Sequence, residues 1–396
     1  MFKIFSLKNG IDNVDGFFCD GLNCGLRPDK NQGDLAFIRS SKPCLIATTY
    51  TTNRFQAAPI KHALRYGKLF EGNFILMNAK NANAMTGKRG VADIEEILSH
   101  LPSDINPLHP LMSSTGVIGY RLPKDKIIAG LKRFDFNAKN SDAAARAIMT
   151  TDKFKKELCF EVELDEGRSF KIAAIAKGAG MINPATATML CFITTDANVP
   201  KEDMKNLLKE AVDGSFNKIS VDGDTSTNDS VFLMANGASG VYDKEAFKVA
   251  LKRITFELAM MILRDGEGAT KVVAFEVVGA KNTQEAERVA RNLSNSLLVK
   301  TALFGEDPNW GRIAATIGAS DVECDEEELE IYYDDLLVYS KEYPELDKER
   351  EEKAYKIMKQ DSFKIRCNLN IAEGSFTAYG CDLSYEYVKI NAEYRT

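Results

Sequence analysis

Residues 170–197 read FKIAAIAKGAGMINPATATMLCFITTDA. Phe170–Ala176 is a short apolar run of strand character, and TMLCFITTDA (188–197) is a second one. The glycine-rich segment KGAGMINPATA lies between them. Helical patterns follow at once. Pro200 opens a helix with Met204, Leu207, Leu208 and Ala211 on one face. A longer helix runs from about Asp243 to Arg264, lined by Phe247, Leu251, Ile254 and Leu258 and ended by Gly266. VVAFEVVGA (272–280) reads as another buried strand. Asn282 and Glu285 then form an N-cap pair for a helix carrying Ala286, Val289, Ala290, Leu293 and Leu297 at helical spacing. Upstream, Ala143–Met149 reads as a helix with Ser141 in the N-cap position. Strands and helices that alternate in this way predict a mixed α/β protein.

The chain has 396 residues, enough for more than one sub-domain. Its net charge of −6 argues against a general electrostatic grip on nucleic acid. No apolar run approaches the ~18 residues that span a bilayer. The N-terminal residues MFKIFSLKNGIDNVDGFF show no long apolar core with a small-residue cleavage site, so a cytoplasmic location is expected. The eight cysteines form no Cys-x-x-Cys pair and are read as reduced thiols. His62, His100 and His109 are the only histidines. Their spacing builds no zinc motif, and a Ser-His-Asp triad has few possible bases. An enzyme with this sequence needs another kind of base.

Several motifs point to no chemistry by themselves. DGDTSTND (222–229) starts like a calcium loop, but Thr227 stands where the loop needs glycine and Leu233 where it needs glutamate. A polar turn before the strand-like SVFLMA (230–235) is the expectation there, and no metal site is expected. KGAGMI lacks the third glycine of a dinucleotide fingerprint, and GASG (237–240) is no nucleophile elbow. FGEDPNWGR (304–312) is either a binding loop or a rigid turn that packs Trp310. Residues 321–359 are acidic and read as a solvated surface with an exposed helix.

Ala187-Thr188 is a small residue followed by threonine at the mouth of an apolar run. By spacing alone, such a threonine is normally only a strand former. The surrounding segment, however, resembles the self-cleavage site of the glutamate N-acetyltransferase and ornithine acetyltransferase family. The likeness extends over almost the whole chain. It includes TTNRFQAAPI (51–60), NANAMTG (81–87), STGVIGYRLP (114–123), AIMTTDKF (147–154), DGDTSTND, FGEDPNWGR and GCDLSYEYVKINAEYRT (380–396). The opening residues fit less well, and AKNANA carries Lys80 where a glycine is expected.

The resemblance implies that Thr188 attacks the Ala187 carbonyl and splits the chain into 1–187 and 188–396. The new α-amine then lies on the nucleophile itself. With a pKa of about 7.7–8 it can serve as the base that the histidines do not supply. Thr115 and Gly116 match the family's oxyanion hole, and Thr151, Lys177, Thr188, Glu267, Asn391 and Thr396 match its substrate contacts. Lys177 and Glu267 offer the mixed charges that suit a zwitterionic amino acid. The implied fold is the layered α/β (α+β) sandwich shared with N-terminal-nucleophile aminopeptidases. Residues 1–187 form the first chain, 188–285 complete the main domain, and 286–396 form a C-terminal sub-domain.

The implied reaction moves acetyl from N-acetylornithine to glutamate by a ping-pong route. No ATP, metal or other cofactor is required, and acetyl-CoA is left open as an alternative donor. The implied partners are the two small substrates and the two cleaved chains, paired as an α2β2 assembly, with no nucleic acid and no membrane. A related self-cleaving aminopeptidase and a non-catalytic amino-acid-binding protein are the alternatives. The tail ending in NAEYRT follows the strand-like YEYVKI (385–390) with no flexible linker, so it is expected to pack at the site rather than fray.

Overall fold

The structure is a computed structural model that describes residues 1–183 and 189–393. In chain order its strands are β1 (Lys3–Ser6), β2 (Phe17–Leu22), β3 (Leu35–Tyr50), β4 (Leu69–Asn78), β5 (Leu111–Ser114), β6 (Lys156–Glu163), β7 (Ser169–Lys177), β8 (Leu190–Thr195), β9 (Ile219–Ser220), β10 (Ser230–Ala235), β11 (Val272–Ala280), β12 (Glu330–Tyr333), β13 (Leu336–Tyr339), β14 (Ser362–Asn368) and β15 (Gly374–Cys381). The helices are α1 (Ala58–Ala63), α2 (Gly87–Leu98), α3 (Lys124–Leu131), α4 (Ser141–Ala147), α5 (Lys201–Asp213), α6 (Lys244–Arg264), α7 (Thr283–Asn295), α8 (Leu297–Phe304), α9 (Trp310–Gly318), α10 (Lys348–Met358) and α11 (Tyr385–Glu393).

β7 and β8 pair antiparallel, with Ile172 opposite Thr195 and Lys177 opposite Leu190. They lie inside a nine-stranded sheet of order β1-β6-β7-β8-β10-β3-β4-β5, with β2 paired to β3. Both faces of this sheet are covered. Cys191, Ile193, Val231 and Leu233 point to the layer of α5 and α6, while Phe192, Phe232 and Met234 point to the opposite core with α1 and α4. Burial on both faces is why these strands read as unbroken apolar runs rather than alternating ones. Stacked Phe192 and Phe232 rings, 5.4 Å apart, join β8 to β10 within one face.

A second sheet has the order β13-β12-β14-β11-β15-β9 and packs against α7, α9 and α10. β9 comes from the middle of the chain and pairs in parallel with β15. The mixed α/β layering expected from the sequence is therefore present. Some local assignments differ. Asn140, not Ser141, caps α4 by accepting the Ala143 N–H; Ser141 is the first helical residue. α7 ends at Asn295, because Ser296 adopts an extended ψ and caps a new helix, α8. Leu297 thus opens α8 and is largely exposed instead of lining α7. The acidic 321–359 stretch is more than solvated surface, since it supplies the β12–β13 hairpin and α10, with Tyr333, Val338, Ala354 and Met358 in the core. YEYVKI is helical, not a strand. It forms most of α11, and the spacing of Tyr387 and Asn391 puts both on one side of that helix.

Candidate active site

Lys177 is the last residue of β7, and Leu190 and Ser230 open β8 and β10 beside it. At this end of the sheet lies a cavity of about 130 Å³, lined among the described residues by Ala82, Thr115, Gly116, Ile118, Thr150, Thr151, Lys177, Gly180, Met181, Ser226, Thr227, Asn228, Glu267 and Asn391. Six of these, Thr115, Gly116, Thr151, Lys177, Glu267 and Asn391, are residues singled out from the sequence. Ala187, Thr188 and Thr396 lie outside the described residues. No histidine lines the cavity among the described residues. His62 is buried elsewhere, against Tyr66, and burial together with nearby Arg65 lowers its pKa to about 4.

The wall carrying Thr115 is assembled from polar side chains that act as backbone staples. Asn228 Nδ2 donates to the carbonyls of Ala82 (2.6 Å) and Ser114 (2.8 Å), locking three loops together. Thr51 donates to the Ser226 carbonyl, Asn53 to that of Thr225, and the Ala57 N–H to that of Thr227. The TTNRFQAAPI, NANAMTG and DGDTSTND segments thus build one cradle. Gly116 has φ +130°, and a Cβ there would lie 2.3 Å from the Lys80 carbonyl carbon, so only glycine fits. Lys80 itself has φ +71°, the left-handed region that favours the glycine expected at that position.

Lys177 Nζ donates to Thr115 Oγ1 at 3.2 Å. The lysine is buried, and desolvation lowers its pKa against the opposing pull of Asp152. Asp152 accepts the Gly178 N–H at 2.8 Å and Lys156 Nζ at 2.7 Å. Burial alone would raise its pKa, but the Lys177 and Lys156 ammoniums and the Gly178 N–H hold it down to about 2. Lys156, fully buried on β6, also reaches Asp265 at 2.5 Å.

On the opposite side, Glu267 accepts from Asn391 Nδ2 at 2.8 Å. A Cβ on Gly180 would come within 2.5 Å of the Glu267 carboxylate, so this glycine makes its room. α11 is docked by Ser384, which donates to the Gly268 carbonyl (2.6 Å), and by Tyr387, whose hydroxyl meets Asp222 (3.5 Å). Asp222 also accepts the N–H groups of Met181 (2.6 Å) and Ile182 (2.9 Å). Burial raises its pKa to about 6. Asp229 Oδ1 accepts the Met189 N–H at 3.0 Å, and burial raises this carboxyl well above its ordinary value.

DGDTSTND therefore leads into β10 as a turn, and it also lines the cavity. Asp222 and Asp229 Oδ1 are committed to backbone amides. Thr150, Asp152, Gly180, Met181 and the 226–228 triplet were not singled out from the sequence. The neighbouring Thr151 and Lys177 were the available pointers to the first four. FGEDPNWGR stays outside the cavity. Its Trp310 stacks on Tyr339 at 4.3 Å, which makes the segment the rigid turn of the two options.

The ArgJ family model matches residues 18–396. The chain belongs to the ArgJ family. The arginine biosynthesis bifunctional protein ArgJ of Wolinella succinogenes is 57% identical over 400 residues, with 100% of both chains covered. Its namesake in Dehalococcoides mccartyi is 43% identical, over 98% of this chain and 97% of the relative. A crystal structure of arginine biosynthesis bifunctional protein ArgJ from Bacillus halodurans, 43% identical, covers 51% of this chain and 98% of its own, with a TM-score of 0.48. Among the described residues, no helix is long and apolar enough to cross a membrane.

Proposed function

We propose that this chain is an acetyltransferase of arginine biosynthesis that moves acetyl from N-acetylornithine to glutamate after cutting itself between Ala187 and Thr188. The observation that carries this is the meeting of Thr115, Gly116, Thr151, Lys177, Glu267 and Asn391 around one cavity, beside the β7–β8 connection that contains Ala187-Thr188 in sequence. The full-length identity to proteins named as bifunctional ArgJ supports it independently.

In this mechanism the Thr188 hydroxyl attacks the acetyl carbonyl, and its proton passes to the Thr188 α-amine. Thr115 and Gly116 stabilise the oxyanion. Lys177 donates to Thr115 Oγ1, so the Thr115 proton is free to point into the cavity. Collapse expels ornithine with the proton and leaves an acetyl ester on Thr188. The glutamate amine then reverses the sequence. Glu267 and Asn391 hold the charged end of the amino acid, with Thr151 and Thr396 as further contacts. One amide is exchanged for another, which needs no ATP, metal or bound cofactor, and acetyl-CoA serves as a second donor. Residues 188–285 complete the main body and lend β9 and β11 to the second sheet, 286–396 form the rest of that sub-domain, and the cut chains pair as α2β2 in the cytoplasm.

Intact mass spectrometry tests the cut. Two fragments should appear, the second beginning TMLCF, and Thr188→Ala should remain one inactive chain. Active enzyme persisting as a single 396-residue chain would overturn the proposal.

A further inference from the structure

A second cavity, of about 660 Å³, adjoins the first across the 150–152 segment, and Thr150 lines both. Its walls are the 21–33 segment, the first turns of α4 and residues 149–153. The 21–33 wall is a fixed structure. Buried Asp34 accepts the N–H groups of Cys24, Leu26 and Arg27, each at 2.7 Å. Arg27 then reaches across to the Met149 carbonyl, tying this wall to the segment that carries Thr150.

The charge of this cavity runs against that of the chain. Arg27, Lys30, Arg146 and Lys153 line it, with Asp142 and Asp152 as the acids. The Asp152 side chain is fully buried on Lys156, and Asp142 is shared between Arg146 and Lys155. A net-positive surface remains on a protein of net charge −6.

Size separates the roles of the two cavities. Ligand sites for cofactor-sized molecules usually run to about 300–1,000 Å³. The site at Thr115 falls below that range and the neighbouring one within it. A donor that carries a nucleotide must leave its bulky end outside the first cavity.

We infer that the Arg27–Lys30–Arg146–Lys153 groove holds the phosphate-bearing nucleotide end of acetyl-CoA, with its thioester arm passing Thr150 into the site at Thr115. This rests on the acetyltransfer proposed above and names a place for the second donor. The Thr188 hydroxyl attacks the thioester carbonyl, the C–S bond breaks, and the departing sulfur takes the hydroxyl proton as coenzyme A thiol. The acetyl ester is then passed to glutamate as before. Arginine forks and lysine ammoniums are the side chains that suit phosphate oxygens.

The test is the Lys30→Glu/Lys153→Glu double variant, in which both side chains are exposed and neither belongs to the transfer machinery. Arg146→Gln is a second, milder variant. KM for acetyl-CoA should rise about tenfold or more in the double variant, equivalent to ~1.4 kcal/mol. KM and kcat for N-acetylornithine should stay at wild-type values. Calorimetric titration with coenzyme A should show matching losses, and added salt should weaken binding to the wild type more than to the variants. Unchanged acetyl-CoA KM and coenzyme A binding in the double variant would overturn the inference. So would a wild type that exchanges acetyl from N-acetylornithine yet neither uses acetyl-CoA nor binds coenzyme A, and the proposed function would then stand. Absence of the N-acetylornithine reaction would sink that function instead, and the coenzyme A titration would still decide what the groove binds.

Discussion

Replacing Thr115 by valine keeps the shape of the side chain and removes one hydroxyl. Its consequence follows from the direction of a single hydrogen bond. An ammonium has donors only, so in the 3.2 Å contact Lys177 donates and Thr115 Oγ1 accepts. The threonine proton must therefore go elsewhere, and the cavity lies on its open side. In the proposed mechanism it meets there the charge that develops on the acetyl oxygen. One such donor is worth ~2.7–4 kcal/mol, and at about 1.36 kcal/mol per decade kcat should fall by a factor on the order of 10²–10³. KM should change little, because the donor acts on the transition state more than on the bound substrate. Thr115→Ser keeps the donor and should retain most of kcat. The assay is steady-state acetyl exchange from N-acetylornithine to glutamate, with cleaved enzyme quantified by intact mass, since the proposed mechanism lets the same donor act on the Ala187 carbonyl. Wild-type kcat in fully cleaved Thr115→Val would remove this hydroxyl from the mechanism.

Lys156→Met should destabilise the protein by ~3–5 kcal/mol in a denaturant titration, because Asp152 and Asp265 would stay buried without their shared cation. Asp152 titrates near 2, below its ordinary 3.8, so its stabilisation is complete above the unfolded-state value and lost as pH falls through about 2. Without Lys156 that carboxyl titrates higher, and the acid-unfolding midpoint should move up in pH; an unmoved midpoint would deny the coupling. Gly180→Ala should raise KM for N-acetylornithine with little loss of thermal stability, since the clash falls on the mobile end of Glu267 rather than on backbone. A normal KM would show that the Glu267 carboxylate does not need this position. Asn391→Ala should raise KM in the same direction, and deletion of 391–396 should raise it further while self-cleavage continues. Wild-type kcat/KM in the truncated enzyme would strike Asn391 and Thr396 from the site.

The sheet was legible because its strands are buried on both faces, and such strands announce themselves as apolar runs whatever their neighbours. The end of α7 was not. Leu297 keeps the helical spacing, and only the extended turn at Ser296 breaks it. YEYVKI carries the aromatic and β-branched residues of a strand, but Tyr387 and Asn391 reach Asp222 and Glu267 from one side of a helix. Charged residues such as Lys177 and Glu267 could be assigned by resemblance, whereas their supports could not. Lys156 and Asp265 are 109 residues apart, and the Asn228 staple reaches back 146 and 114 residues. No local pattern records such distances. DGDTSTND looked like an ordinary turn for that reason.

The strand order has a further consequence for how the molecule is held together in time. β8 and β10 come from beyond residue 187, yet they lie between β7 and β3, which come from before it. A chain cut there is left as two polypeptides woven through one sheet, and neither can leave without exposing the other's core. Before the cut, folding is a unimolecular event whose outcome does not depend on concentration. Afterwards the same architecture can be regained only by a bimolecular encounter of two incomplete pieces. The cut therefore converts an equilibrium fold into one protected chiefly by its unfolding barrier. Uncut Thr188→Ala protein should refold from denaturant at any dilution, while the mature form, once opened, should recover poorly and less so the more it is diluted.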